Sequence, residues 1–240
     1  LRCPDPAAEG AMIARIDEAR SNGDTVGGVF EVVVHGLPVG LGSYVHWDRR
    51  LDAALAAAVM SINIVKGVEF GLGFEQTRRF GSAVHDVIAG RDESGHWIHR
   101  SNNAGGLTGG VTNGEALVVR GAVKPISTLA RPLPSADLIT GEAVDKAHYE
   151  RSDISVVPAA GVVAEAMVML TLAAFVLEKT GGDTMDDVVA NLATYRARIA
   201  RAPEAPVAGG VRDGVLVAAD TADAIHGLTG SDEAGSGGDD

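Results

Sequence analysis

Apolar and polar positions along this chain switch between a helical and a strand-like period, and each switch marks an element. Residues 6–22 read as an amphipathic helix, ended by Asn22-Gly23-Asp24. Residues 27–34 are apolar and β-branched, a strand closed by Gly36-Leu37-Pro38. Residues 51–65 form an Ala-rich stretch with apolar side chains on most faces, which predicts a buried helix. Short strands are expected at 68–74 and 77–81, around Gly71-Leu72-Gly73, and another strand at 116–124. A long helix follows at 159–179, with Pro158 in its first turn and Gly181-Gly182 as its stop. Its apolar run nearly reaches the length of a bilayer span. Glu165 interrupts the run, however, and no basic or aromatic anchors flank it. The expected setting is therefore a core helix covered on both sides. The last helix, 183–201, opens with Thr184 and Asp187 at capping-box spacing, Asp being weaker there than Glu. Helices buried between strands predict an α+β fold, a layered sandwich with helices between antiparallel sheets.

Composition narrows the class further. The chain has 240 residues, enough for a full core without disulfide or metal staples. Aromatic residues make up only 4%, so Ala, Val, Leu and Ile must build that core. Cys3 is the single cysteine, so no intrachain disulfide can form and nothing points to an oxidising compartment. No basic start followed by an apolar run is present, and a soluble cytoplasmic protein is expected. The net charge of −12 argues against nucleic acid as a partner, though a few placed cations can still bind a small anion. Much of that charge lies in residues 202–240, with eight acidic side chains against Arg212. This stretch is expected to be a disordered acidic tail behind a domain spanning 1–201.

Four segments could carry chemistry. Residues 101–110, SNNAGGLTGG, hold two Gly pairs that would let backbone N–H groups approach an anion. The spacing fits neither a dinucleotide fingerprint nor a P-loop, and a plain hairpin is the simpler reading. Lys124-Pro125-Ile126-Ser127-Thr128 places a cation, a stiff Pro and two hydroxyls at a strand end. That suits a phosphate or a ring carbonyl; an ordinary turn would look the same. Arg151-Ser152-Asp153 offers a forked cation beside a proton-exchanging carboxylate, or simply a surface ion pair. Asn63, near the end of the Ala-rich helix, reads as a helix cap when taken alone. His96 and His99 flank Trp97 on what looks like an exposed loop, without metal-ligand spacing to Cys3. His85-Asp86 reads as a loop pair rather than a catalytic dyad.

The order and wording of these segments are more specific than any one of them. CPD at 3–5, GDTVGG at 23–28, GLPVGLGS at 36–43 and the block at 50–74 are followed by SNNAGGLTGGVTNG at 101–114, KPIST at 124–128 and RSDISVVPAAGVVAEAM at 151–167. Together they resemble the chorismate synthase family over nearly all of residues 1–200. The resemblance implies a homotetramer of that layered fold, and an anti-1,4-elimination of phosphate from 5-enolpyruvylshikimate 3-phosphate to give chorismate. It implies dependence on reduced FMN although the reaction has no net redox change. By the same resemblance the flavin site uses Asn63, Ile64, Gly109, Lys124, Pro125, Ile126, Ser127, Thr128 and Arg151. Arg151 is implied at the flavin–substrate contact, where its planar fork fits an anion. Asp153 matches the family's acidic residue beside flavin N5, a proton relay. No nicotinamide site is visible, so an external reductant is expected.

The family's usual region before the CPD block is missing from this sequence, and with it two histidines and the phosphate-gripping arginines that the resemblance would supply. Apolar faces on the 51–65 and 159–179 helices are then expected to be uncovered. Two function classes follow. One is the C-terminal part of a chorismate synthase, a carbon–oxygen lyase acting on phosphates, working with the remainder supplied. The other is a non-catalytic module that binds flavin weakly or packs against other chains. A flavodoxin-like carrier would need a βαβ phosphate loop that the sequence does not contain.

Overall fold

The computed structural model describes residues 1–201, 211–212 and 215–216. It contains four α-helices among these residues: α1 (Pro6–Ser21), α2 (Leu51–Met60), α3 (Val157–Thr180) and α4 (Met185–Ala200). The strands are β1 (Gly28–Val34), β2 (Val65–Phe70), β3 (Ile88–Arg91), β4 (Trp97–His99), β5 (Leu107–Thr108), β6 (Val111–Thr112), β7 (Leu117–Val123), β8 (Ser135–Ala136), β9 (Ala143–Val144), β10 (Val211–Arg212) and β11 (Val215–Leu216). The chain divides after Ala200 into two units. Of the second, β10 and β11 form an antiparallel pair. The rest of the expected acidic tail lies outside the described residues.

In the first unit, β7 is the central strand of an antiparallel sheet ordered β1-β7-β2. Alternation along β1 and β7 sends Phe30, Val32, Leu117, Val119 and Val123 to one face. There they meet Leu51, Leu55 and Val59 of α2, and Ala160, Ala164, Val168 and Leu172 of α3. Both helices bury one stripe at four-residue steps, the spacing that keeps side chains on one helix face. Each fully buried Leu or Val in this layer contributes about 1.5–3 kcal/mol relative to leaving it exposed. Gly121, paired with Phe30, has no room for a side chain because the Phe30 ring lies across it. Opposite this core, the sheet face carries Arg120 between Glu31 and Glu69 on the neighbouring strands, at 2.7 Å and 3.6 Å.

The antiparallel α+β class holds. Of the layered sandwich, the described residues form one three-stranded sheet and one helix layer. α3 departs from the expectation of a helix covered on both sides. Val162, Val163, Met169, Leu170 and Leu177 are exposed, Leu170 at 68%. This agrees with the uncovered apolar face expected for that helix. By length and composition alone, α3 is also apolar enough to cross a membrane.

Several local expectations change for identifiable reasons. The Ala-rich helix stops at Met60 rather than at residue 65. Ser61 Oγ bonds Ala58 O, a tight turn follows, and β-branched Ile62, Ile64 and Val65 lead into β2. The strands expected at 68–74 and 77–81 reduce to the end of β2 and a 3-10 helix, Gly73–Arg78. Gly71 and Gly73 adopt φ of +55° and +52°, which breaks extension. The segment holding His96 and His99 is a hairpin, β3-β4, with the Arg91 guanidinium 4.2 Å over the Trp97 ring. At the start of α4 the capping box closes as expected: Thr184 N donates to Asp187 Oδ2 (3.0 Å) and Asp187 N to Thr184 Oγ1 (3.2 Å).

The glycine-rich segment 101–110 is fixed by a carboxylate. Asp86 accepts from Ser101 Oγ (2.6 Å), Asn103 N (2.7 Å) and Ala104 N (2.9 Å). Gly105 and Gly71 pass so close that a side chain on either would overlap the other's backbone. Gly109 and Gly110, at φ +64° and +85°, turn β5 into β6 with the two positive angles of a type I′ hairpin. The glycines of this segment thus have the plainer explanation, a hairpin and a close crossing.

Partial burial alone would push the Asp86 carboxyl up. The hydrogen bonds from Ser101, Ala104 and Asn103, with His99 nearby, outweigh it and hold the pKa below the usual aspartate value. A folded-state pKa below the unfolded one makes the ionised form a stabilising group. Its contribution is complete above about pH 5 and is lost as pH falls through the unfolded and then the folded value. Asp86→Asn is therefore expected to lower the unfolding free energy at pH 7 by about 0.5–1.5 kcal/mol, a hydrogen-bond contribution discounted for solvent screening at this partly exposed carboxylate. Urea titrations should show the gap to wild type shrinking as pH is taken from 7 to 3. An equal gap at both pH values would show that charge is not its source.

Candidate functional site

Antiparallel pairing decides which chain segments meet. Val123, the last residue of β7, stands opposite both Gly28 of β1 and Val65 of β2. The starts of β1 and β2 and the exit of β7 therefore share one sheet end. Lys124 N donates to Ile64 O at 2.9 Å, joining the first residue after β7 to the turn before β2. Gly27 runs so tightly beside Val123 that a side-chain carbon would overlap the Val123 carbonyl. Thr25 Oγ1 donates to Ile126 O (2.6 Å), Ser152 Oγ to Thr128 O (2.7 Å), and Val26 N to Ile154 O (2.8 Å). Three segments far apart in sequence, around 63–64, 124–128 and 151–153, are thus drawn together.

The polar groups at this end face outward. Asn63, Lys124, Pro125, Ser127, Arg151 and Asp153 are exposed, while Ile64, Ile126 and Thr128 are half-buried in the supporting backbone. Asn63 does not cap a helix as its position suggested, because α2 has ended three residues earlier and Ser61 takes the cap position. Among the described residues, Arg151 and Asp153 form no ion pair with each other, and Lys124 forms none either. The surface ion pair considered for Arg151 and Asp153 is therefore not formed. Two uncommitted cations, an amide and hydroxyls make a donor-rich surface suited to an anion or a carbonyl-bearing ring. Asp153 adds a carboxylate able to exchange a proton.

Gly109 stands apart from this cluster. Leu51 N donates to Gly110 O at 2.9 Å, which seats the β5-β6 turn at the start of α2. Asn63 follows the other end of that ten-residue helix, about 15 Å away by α-helical rise. A ligand touching both would have to run along α2. Nothing lies within 4 Å of where a Gly109 side chain would begin, so that turn is open on its outer side.

The histidines divide. His96 is exposed beside Asp92, at 3.5 Å. His99 is not solvated as expected; its side chain is 11% exposed and its Nδ1 lies 3.0 Å from Glu115 Oε1. His85 is exposed, and its neighbour Asp86 serves the glycine-rich segment instead. No group of three or more His, Cys, Asp or Glu suited to a metal ion occurs among the described residues. Sequence reasoning missed Thr25 and Ser152, the hydroxyls behind the cluster. Both stand inside quoted motifs, but spacing alone does not reveal a hydroxyl that reaches another loop's carbonyl.

Comparisons with known proteins agree with this architecture. The chorismate synthase family model matches residues 1–177. Chorismate synthase of Pseudarthrobacter chlorophenolicus is 55% identical over 195 residues, covering 81% of this chain and 48% of that protein. The Acidothermus cellulolyticus enzyme is 57% identical over 196 residues, covering 81% and 49%. A crystal structure of chorismate synthase superposes with a TM-score of 0.69 at 44% identity, covering 83% of this chain and 52% of that one. The chain spans about half the length of the curated relatives it matches. With a family model over most of its length and a shared fold, this chain belongs to the chorismate synthase family.

Proposed function

We propose that this chain contributes the flavin-binding and proton-handling part of a chorismate synthase. The reaction is the 1,4-elimination of phosphate from 5-enolpyruvylshikimate 3-phosphate, in which the allylic C–O bond to phosphate breaks and a proton leaves C6. The observation that carries this reading is the convergence of residues 63–64, 124–128 and 151–153 at one sheet end, with Lys124, Arg151 and Asp153 uncommitted.

The donor set fits FMN, whose phosphate and ring carbonyls need cations, hydroxyls and amide N–H groups. Lys124, Ser127, Thr128 and Asn63 would hold it, with Ile64, Pro125 and Ile126 shaping the backbone beneath. Gly109 belongs to the same site only if the ligand extends along α2. Reduced FMN supplies electron density to the substrate ring when bound. Arg151 presents its fork to the anion at the flavin–substrate contact. Asp153 offers a carboxylate that can take up a proton beside the reacting ring and pass it on. A homotetramer in the cytoplasm, with flavin reduced from outside, belongs to the same proposal.

Activity is proposed for the chain together with the half of the family fold that lies outside the matched region. Exposed Val162, Met169 and Leu170 on α3 are an apolar surface of the kind that half would cover. Complementation of an aromatic-auxotrophic strain tests this. Growth is expected when the 240-residue chain is co-expressed with the N-terminal half of a close relative, and not with either piece alone. Absence of growth with the pair would favour a non-catalytic packing module.

Two substitutions separate binding from chemistry. Lys124→Ala removes a charge-assisted hydrogen bond of about 1.5–3 kcal/mol, so FMN affinity should fall about ten- to a hundred-fold. Titration of flavin fluorescence reads this directly, and an unchanged Kd would remove Lys124 from the site. Asp153→Asn keeps shape but loses the proton-accepting carboxylate. Turnover of the reconstituted pair should drop about 10²–10⁴-fold while flavin affinity hardly moves. Arg151→Ala should weaken both substrate binding and turnover; small, equal losses in both variants would point away from catalysis.

A further inference from the structure

Beyond Lys124 the chain leaves the sheet, and Pro125 has no N–H to continue a ladder. Among the described residues, the backbone of 125–128 is held by two hydrogen bonds only. Thr25 Oγ1 donates to Ile126 O at 2.6 Å, and Ser152 Oγ donates to Thr128 O at 2.7 Å. The two anchored carbonyls lie on either side of Ser127, where the chain bends and its side chain is exposed. Thr25 is 9% exposed and Ile126 half-buried, so the first bond is shielded from water. Ser152 stands between Arg151 and Asp153, so its bond fixes the spacing of those two charges to the 124–128 loop.

We infer that Thr25 and Ser152 are positioning residues, a pair of hydroxyl latches that set the distance between the anion-binding loop and the Arg151–Asp153 pair. The inference rests on the flavin-site reading for what the loop binds, but the latch itself is a property of these contacts. Each hydroxyl satisfies a carbonyl that no strand partner reaches. Losing one frees the loop to shift while the sheet, whose ladder ends at Val123, stays intact. Two backbone bonds flank the latches and report on them: Val26 N to Ile154 O, and Arg131 N to Gly23 O at 2.8 Å.

The test uses the full 240-residue chain with Thr25→Val, Ser152→Ala and Ser152→Thr, the last keeping a hydroxyl. Amide exchange should accelerate at Val26 and Arg131 in Thr25→Val and Ser152→Ala, with residues 117–123 of β7 unchanged. FMN affinity, read by fluorescence titration, should fall about three- to ten-fold in both, the worth of one neutral hydrogen bond. Ser152→Thr should restore both readouts to near wild type. Unchanged exchange at Val26 and Arg131 would overturn the latch, as would failure of Ser152→Thr to rescue a loss seen in Ser152→Ala. If wild type itself does not bind FMN, the flavin-site reading falls, and the exchange measurement still decides the latch. Faster exchange spread equally over β7 would show general destabilisation and would overturn the inference too.

Discussion

The organisation of this chain depends on the hydrogen-bond register of β7. Because both neighbours run antiparallel to it, one residue, Val123, faces the beginnings of β1 and β2 together. A slip of one residue would turn Val119 and Leu117 outward and separate Lys124 from Ile64. The core stripe and the polar cluster are thus set by the same ladder. Phe30 over Gly121 helps to pin it, since a side chain at Gly121 would have no room beneath the ring. On the opposite face, Arg120 meets carboxylates on both flanking strands, a cross-strand match that another register would lose.

α3 shows how far packing can depart from what hydropathy suggests. Its apolar residues run around most of the helix, yet only one stripe rests on β1 and α2. Exposed Val162, Val163, Met169 and Leu170 form a surface unusual for a helix that ends in a free layer. In the relatives, the segment matching this chain makes up only about half of a longer chain.

The sequence pattern made the main elements legible. β1, β7, α1, α3 and α4 lie within two or three residues of where periodicity, Pro158 and Gly181 put them. The errors cluster where side chains and glycine geometry override propensity. Alanine favours continuing α2, but Ile62, Ile64 and Val65 take the chain into a strand. Gly71 and Gly73 convert an apparent strand into a turn and a 3-10 helix. For the site, Lys124, Arg151 and Asp153 were visible as residue types, and the structure brings their segments together. Gly109 was visible as well, but its hairpin sits at the far end of α2. Nothing in a linear pattern shows that Thr25 reaches Ile126, because that contact spans 101 residues and involves one hydroxyl.

β1 lies at the border of its sheet, with one row of backbone groups outside the ladder and Val29 and Val33 exposed along it. Such a border invites another extended segment to add alongside. Glu31, between the two valines, is the charge that discourages this, and it is engaged by Arg120. Concentrated salt screens both the repulsion between copies and the pair itself. Handling of this polypeptide is therefore a matter of colloid chemistry as much as of folding. Salt concentration thus acts on the open edge of the sheet as well as on the charged pair across its outer face.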